Sequence, residues 1–351
     1  MAAVRTFYQR IIGSGASQSL SSDRPSAGPG RSRRNTFLRW LLGASIASFC
    51  LACAGPFAAQ ATNFTCSWND ATANWTTAAD WSTCNGTDPN NVGGNTYDAI
   101  ISTGNPTLTT AVTLGSVTIN SPGAWTLSGS GASATLTGLL SNAGTFDLAS
   151  GASVTTIGVG LTNTGAVGVD GLGFAGSGGG SLTLGGALTN NAGAVLDIGN
   201  PGITASSTVQ TTSLSNAGRI NLVGNGAAHA ELNIAGGLTN TGSVSVDTFN
   251  GPVGTTSGGS TVTLGGTLIN DGGNLAIGNG GLSASTTVTA PGLSNAGTIG
   301  LVGSASNPAN QASLMVNGAA NNAGTVNIAT AGNVTVTGAV MLIRGPRASP
   351  I

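Results

Sequence analysis

From Thr62 onward, apolar and polar residues alternate in short runs with a period of two. Phe146/Leu148, Val167/Val169, Ile220/Leu222, Val244/Val246, Leu275/Ile277, Ile299/Leu301 and Val326/Ile328 are each split by one small or polar residue. A strand sends successive side chains to opposite faces, so each pair marks an inward edge of a half-buried strand. Glycine, asparagine and serine separate the runs, and no stretch of the repeat carries a helical period. Val, Ile and Thr favour the pleated state as well.

The runs repeat. "LSNAGRINLVG" at Leu214 returns almost unchanged as "LSNAGTIGLVG" at Leu293. An Asn-x-Gly corner precedes each apolar pair, at Asn142, Asn163, Asn191, Asn216, Asn240, Asn270, Asn295 and Asn322, with intervals of 21 to 30 residues. The Asn191 copy drifts, since Asp197 stands where the second apolar residue should be. Repeats of this length mean solenoids, propellers or arrays. Propeller blades are longer, and leucine-rich repeats need a helical segment. A unit with two or three short strands fits one coil of a parallel β-helix. The expected fold is therefore all-β, a single-stranded parallel β-helix of about ten coils over residues 99–343, roughly 45–50 Å long. Asparagine suits the corner, and stacked from coil to coil it is expected to form an amide ladder. The long intervals at 171–180 and 248–260 occupy the same place in a larger unit of three repeats, and should leave the same side.

Composition changes the picture at the N-terminus. Seven of ten arginines precede Trp40, there is no lysine, and no charge falls between Trp40 and Asn69. A basic flank, the apolar run "WLLGASIASFCLACAG" and Ala59-Gln60-Ala61 are the parts of a secretory signal. Residues 1–61 are expected to be a long signal peptide, removed after Ala61. The remainder holds three arginines against ten acids, a formal net charge of −7. An acidic surface so poor in cations does not neutralise phosphates, which excludes nucleic-acid binding. Contact with a membrane is expected only through export or a missing translocator.

Residues 62–98 differ from the repeats. They contain Trp68, Trp75 and Trp81, with Cys66 and Cys84. An even pair of cysteines in an exported chain predicts a disulfide. A sheet stack must cover its ends, so this segment is expected to be an N-terminal cap, with the tryptophans as an apolar lid. The alternative is sugar stacking by exposed tryptophans. Residues 344–351 form a tail with two arginines and two prolines.

Candidate chemistry is sparse. The region beyond the leader has one histidine, His229, and one glutamate, Glu231, on one face of a strand if "HAEL" is extended. Asp147, Asp170 and Asp247 fall near strand ends, and the last two are equivalent in the larger unit; turn capping suits them better than paired-carboxylate catalysis. No catalytic, cofactor or metal site is expected.

The Asn-x-Gly repeats, with an opening "W…W…W…P…YDAII" (Trp68, Trp75, Trp81, Pro89, Tyr97, Asp98, Ile100, Ile101), resemble the passenger region of bacterial autotransporter or filamentous-haemagglutinin-type adhesins over residues 62–343. That resemblance implies a right-handed β-helix, secreted or held at the cell surface or outer membrane. It implies a non-enzymatic role in attachment to a host-cell or matrix glycan or protein, or in self-association. Two alternatives stand beside it: a polysaccharide-binding or polysaccharide-degrading β-helix, and a truncated passenger without its barrel.

Overall fold

The computed structural model describes residues 62–69, 71–171, 176–249 and 257–337, and the backbone of 342–343. The expected signal peptide, the inner parts of both long loops and the tail at 344–351 lie outside the described residues.

The alternating runs become strands, and the strands wind into a parallel β-helix with three faces. One coil contributes one strand to each of three sheets of 13, 11 and 10 strands, called here sheets 1, 2 and 3 in the order the chain visits them. The coil at Leu140 shows the plan: Leu140–Asn142 joins sheet 1, Thr145–Ala149 sheet 2 and Ser153–Thr156 sheet 3. Neighbouring coils pair in parallel and in register, as in Leu140↔Leu161 and Asn142↔Asn163. Register is firm because a slip of one residue would turn every inward side chain to solvent.

The inward positions fill one continuous core. Leu140, Leu161, Leu188, Leu214, Leu238, Leu268 and Leu293 stack along sheet 1, each almost fully buried. Phe146, Val167, Leu196, Ile220, Val244, Leu275 and Ile299 do the same on sheet 2. Each coil therefore borrows both backbone partners and apolar contacts from the next, and no coil has a core of its own.

The glycine of the corner motif is dictated by coil stacking. A Cβ on Gly144 would stand 2.0 Å from the Gly123 carbonyl oxygen, and one on Gly165 2.2 Å from that of Gly144. The backbone passes too close to the coil below for any side chain.

The cap joins the solenoid earlier than its composition suggests. β1 (Asn63–Trp68) pairs in parallel with β4 (Thr96–Ile101), and β2 (Thr72–Asn74) pairs in parallel with Asn105–Leu108. Only β3 (Trp81–Ser82) runs antiparallel, closing the edge of β1. The boundary at residue 99 therefore falls inside a strand. The cap is a first rung with enlarged side chains, because Cys66 and Trp68 occupy the same inward phase as the leucines above.

Candidate functional site

The polar residues of the solenoid divide into those the core consumes and those left facing water. The consumed set begins with the asparagines. Asn142, Asn163, Asn190, Asn216, Asn240, Asn270, Asn295 and Asn322 close the strands of sheet 1 and point inward, each no more than 4% exposed. From Asn142 to Asn295, each Nδ2 donates to the Oδ1 of the next asparagine at 2.6–2.8 Å. The same nitrogens donate to a backbone carbonyl at the start of the sheet 2 strand in the next coil, such as Ala166 and Ser243. Both amide hydrogens are thus used, and the corner between sheets 1 and 2 is fastened from inside. The ladder stops where Ile119 stands opposite Asn142, leaving the Asn142 Oδ1 buried without a partner.

One predicted corner residue is corrected. The ladder takes Asn190, not Asn191; Asn191 is half-buried and donates instead to the Asn163 carbonyl. Asn-x-Gly marks the corner glycine, whereas the ladder needs the second residue after the inward leucine. Leu188-Thr189-Asn190 carries that signal in the sequence, and the extra residues of this copy bulge outward before Val195.

Two aspartates are consumed at the corner between sheets 2 and 3. Asp170 and Asp247 are fully buried and hold φ of 51° and 52°. The Asp170 carboxylate accepts from the backbone N–H of Ser150, Gly178 and Gly180 and from the Ser207 hydroxyl. The Asp247 carboxylate accepts from the N–H of Gly224 and Ser260 and from the hydroxyls of Ser260 and Thr286. Burial pushes the Asp247 pKa up, and these donors oppose it. Both long loops leave this corner, each clamped at its base by one carboxylate. Asn200 and Asn279 add donors to the Asp170 and Asp247 carbonyls.

Asp147 has no such satisfaction. It faces outward from sheet 2 yet is only 8% exposed, and its Oδ1 has no hydrogen-bond partner. Its neighbour in register is Gly168, which has no side chain to offer, and the Thr126 hydroxyl on the other side donates to Asn105. Burial, then the charge of Asp170, push its pKa up to about 7. Asp197, on the far side of Gly168, is raised by burial, but the Asn221 amide and Arg219 counter the rise.

The strand starts at Ala230, so His229 lies just before it, and the His229 Nδ1 is 2.6 Å from the Gly259 carbonyl oxygen. Among the described residues no group of three His, Cys, Asp or Glu side chains could hold a metal ion.

The first rung carries the expected disulfide. Cys66 and Cys84 are bonded, buried and 4.8 Å apart at Cα, closing an 18-residue separation. The tryptophans are no sugar platform: Trp68, Trp75 and Trp81 are at most 5% exposed. They pack edge to face, with Trp68–Trp81 centroids at 5.0 Å and Trp75–Trp81 at 4.6 Å. The column then continues to Trp125 and Phe146 at 5.2 Å a step, which sequence reading missed because those two residues belong to the repeats.

What remains for recognition is the outer face of sheet 3. Its strands read Ser133-x-Thr135, Ser153-x-Thr155, Ser181-x-Thr183, Thr208-x-Gln210, Glu231-x-Asn233, Thr261-x-Thr263 and Thr287-x-Thr289 in register. Two parallel rows of small polar groups result, about 4.8 Å apart from strand to strand and roughly 6.6 Å apart along each strand. Glu231 is the one charge among these residues. A shallow open groove of about 440 Å³ lies beside the second row, lined by Thr183, Gln210, Asn233 and Thr263 and by the turn residues that follow these strands.

No family model matches the chain, nor does any curated protein or solved structure.

Proposed function

We propose that this is an exported, non-enzymatic β-helical protein of the cell surface or its surroundings, acting in attachment or self-association. One observation carries the reading: the ladder asparagines, Asp170 and Asp247 are spent on the scaffold, while a long outward face of mostly uncharged hydroxyls and amides stays free. Asp170, Asp247 and His229 are all engaged by backbone or hydroxyl groups within the coils. The disulfide fits an oxidising compartment, and the sequence of residues 1–61 has the parts of an export signal. No helix among the described residues is long and apolar enough to cross a membrane.

The test is to express the full chain with its leader in a Gram-negative host, fractionate the cells and sequence the N-terminus of the exported form. The reading expects Thr62 as the first residue and retention of the producing cells on a coated matrix, or their clumping. An uncleaved protein confined to the cytoplasm would overturn it.

A further inference from the structure

We infer that the groove on sheet 3 between Ser181–Leu184 and Thr261–Leu264 is a binding site for a neutral, extended polysaccharide laid along the solenoid axis. The inference rests on the attachment reading and gives it a ligand class.

The hydroxyl row along this face is interrupted at two adjacent strands. Thr183 is followed by Gln210 and Asn233, and Thr263 resumes the pattern, all four in register. Both amides line the groove on neighbouring strands, and neither side chain hydrogen-bonds to any described residue, in contrast to the buried amides of the ladder. An amide presents a donor and an acceptor side by side, which matches two hydroxyls on adjacent sugar carbons. Threonine methyls and the exposed Ala235 supply surface for the C–H faces of pyranose rings.

Charge and geometry select within the class. No ionisable group lines the groove, so an acidic polymer finds no cation there. The polar groups repeat along the axis at the strand spacing of about 4.8 Å, close to the length of one ring in an extended chain. The four strands span about 14 Å, room for roughly three rings. Aromatic platforms are missing from the groove, so single sugars hold weakly and affinity comes from length.

Calorimetric titration of the exported protein tests this with hexasaccharides of glucose, mannose and xylose. Their dimers, polygalacturonate and heparin serve for comparison. A neutral hexasaccharide should bind at least tenfold more tightly than its dimer, without weakening at raised salt. Combined Gln210→Ala and Asn233→Ala should weaken it by about tenfold or more, the size of two lost hydrogen bonds, with Tm unchanged. Thr135→Ala, on the same face outside the groove, should bind as the parent does. Three results would overturn the site: no neutral oligosaccharide binding, a preference for the acidic polymers, or a double variant indistinguishable from Thr135→Ala. Cell retention surviving in a double variant that no longer binds sugar would leave the attachment reading standing without glycan as its ligand. Sugar binding by a protein that retains no cells would remove attachment and leave the groove.

Discussion

Gln210 and Asn216 lie six residues apart and carry the same amide chemistry, yet the coil treats them oppositely. Gln210 sits on the outer pleat of sheet 3 and its side chain hydrogen-bonds to no described residue. Asn216 sits on the inner pleat of sheet 1, about 1% exposed, and donates to Asn240, Gly218 and Ser243 while accepting from Asn190. The phase of a residue in the pleat decides whether its polarity holds the fold or meets a ligand. Inside, an unmade bond costs its full desolvation; outside, water replaces it.

The largest expected break in that contrast is Asn216→Ala. It cuts the ladder mid-stack, leaving one Asn190 amide hydrogen without its acceptor and the Asn240 Oδ1 and Ser243 carbonyl without the Asn216 donor. A cost of about 3–5 kcal/mol follows from several buried orphans, read as loss of hydrogen-exchange protection centred on the coils at Leu188, Leu214 and Leu238. Similar protection in variant and parent would show that the ladder merely fills space. Next comes the cap. Replacing Cys66 and Cys84 by serine releases an 18-residue loop and should cost about 3 kcal/mol. Exchange should rise from β1 to β4 while the middle coils keep their protection; uniform loss would mean that the solenoid unfolds as one unit.

Asp147→Asn sharpens the contrast from the other side, because here an outward residue has been buried without partners. Its folded pKa of about 7 exceeds the unfolded carboxylate value of about 3.9. The folded state therefore holds the proton more tightly, and the penalty for ionising Asp147 grows as pH rises from about 4 to about 7. The variant should be more stable than the parent by on the order of 1–3 kcal/mol at pH 8, with the gain fading toward pH 4. A gain independent of pH would point to packing instead. The smallest effect belongs to the outer rows: Thr155→Ala or Thr289→Ala should shift stability by less than about 0.5 kcal/mol. A drop beyond 1 kcal/mol by urea titration would mean that those hydroxyls carry bonds within the fold.

Much of this was legible in the chain because a parallel β-helix repeats its requirements every coil. The period-two pairs marked the strands of sheet 2, the Asn-x-Gly spacing gave the coil, and seven of the eight corner asparagines proposed from it lie in the ladder. Asn191 was misplaced because the motif tracks the glycine that clears the backbone below, while the ladder tracks the inward leucine. Both usually move together; an insertion at the corner separates them. The clamping of both long loops by Asp170 and Asp247 was only hinted at by their equivalence, since each carboxylate gathers donors from residues 8 to 39 positions away.

The sequence alone determined the class of fold, the coil length and the disulfide, because these follow from alternation, repetition and composition, which are local or periodic properties. Only the tertiary structure decided which asparagine enters the ladder, why Asp147 is orphaned beside Gly168, and where Gln210 and Asn233 come side by side. Those depend on residues from different coils meeting across a step of about 4.8 Å, and register between coils is set by the packed core rather than by any one segment.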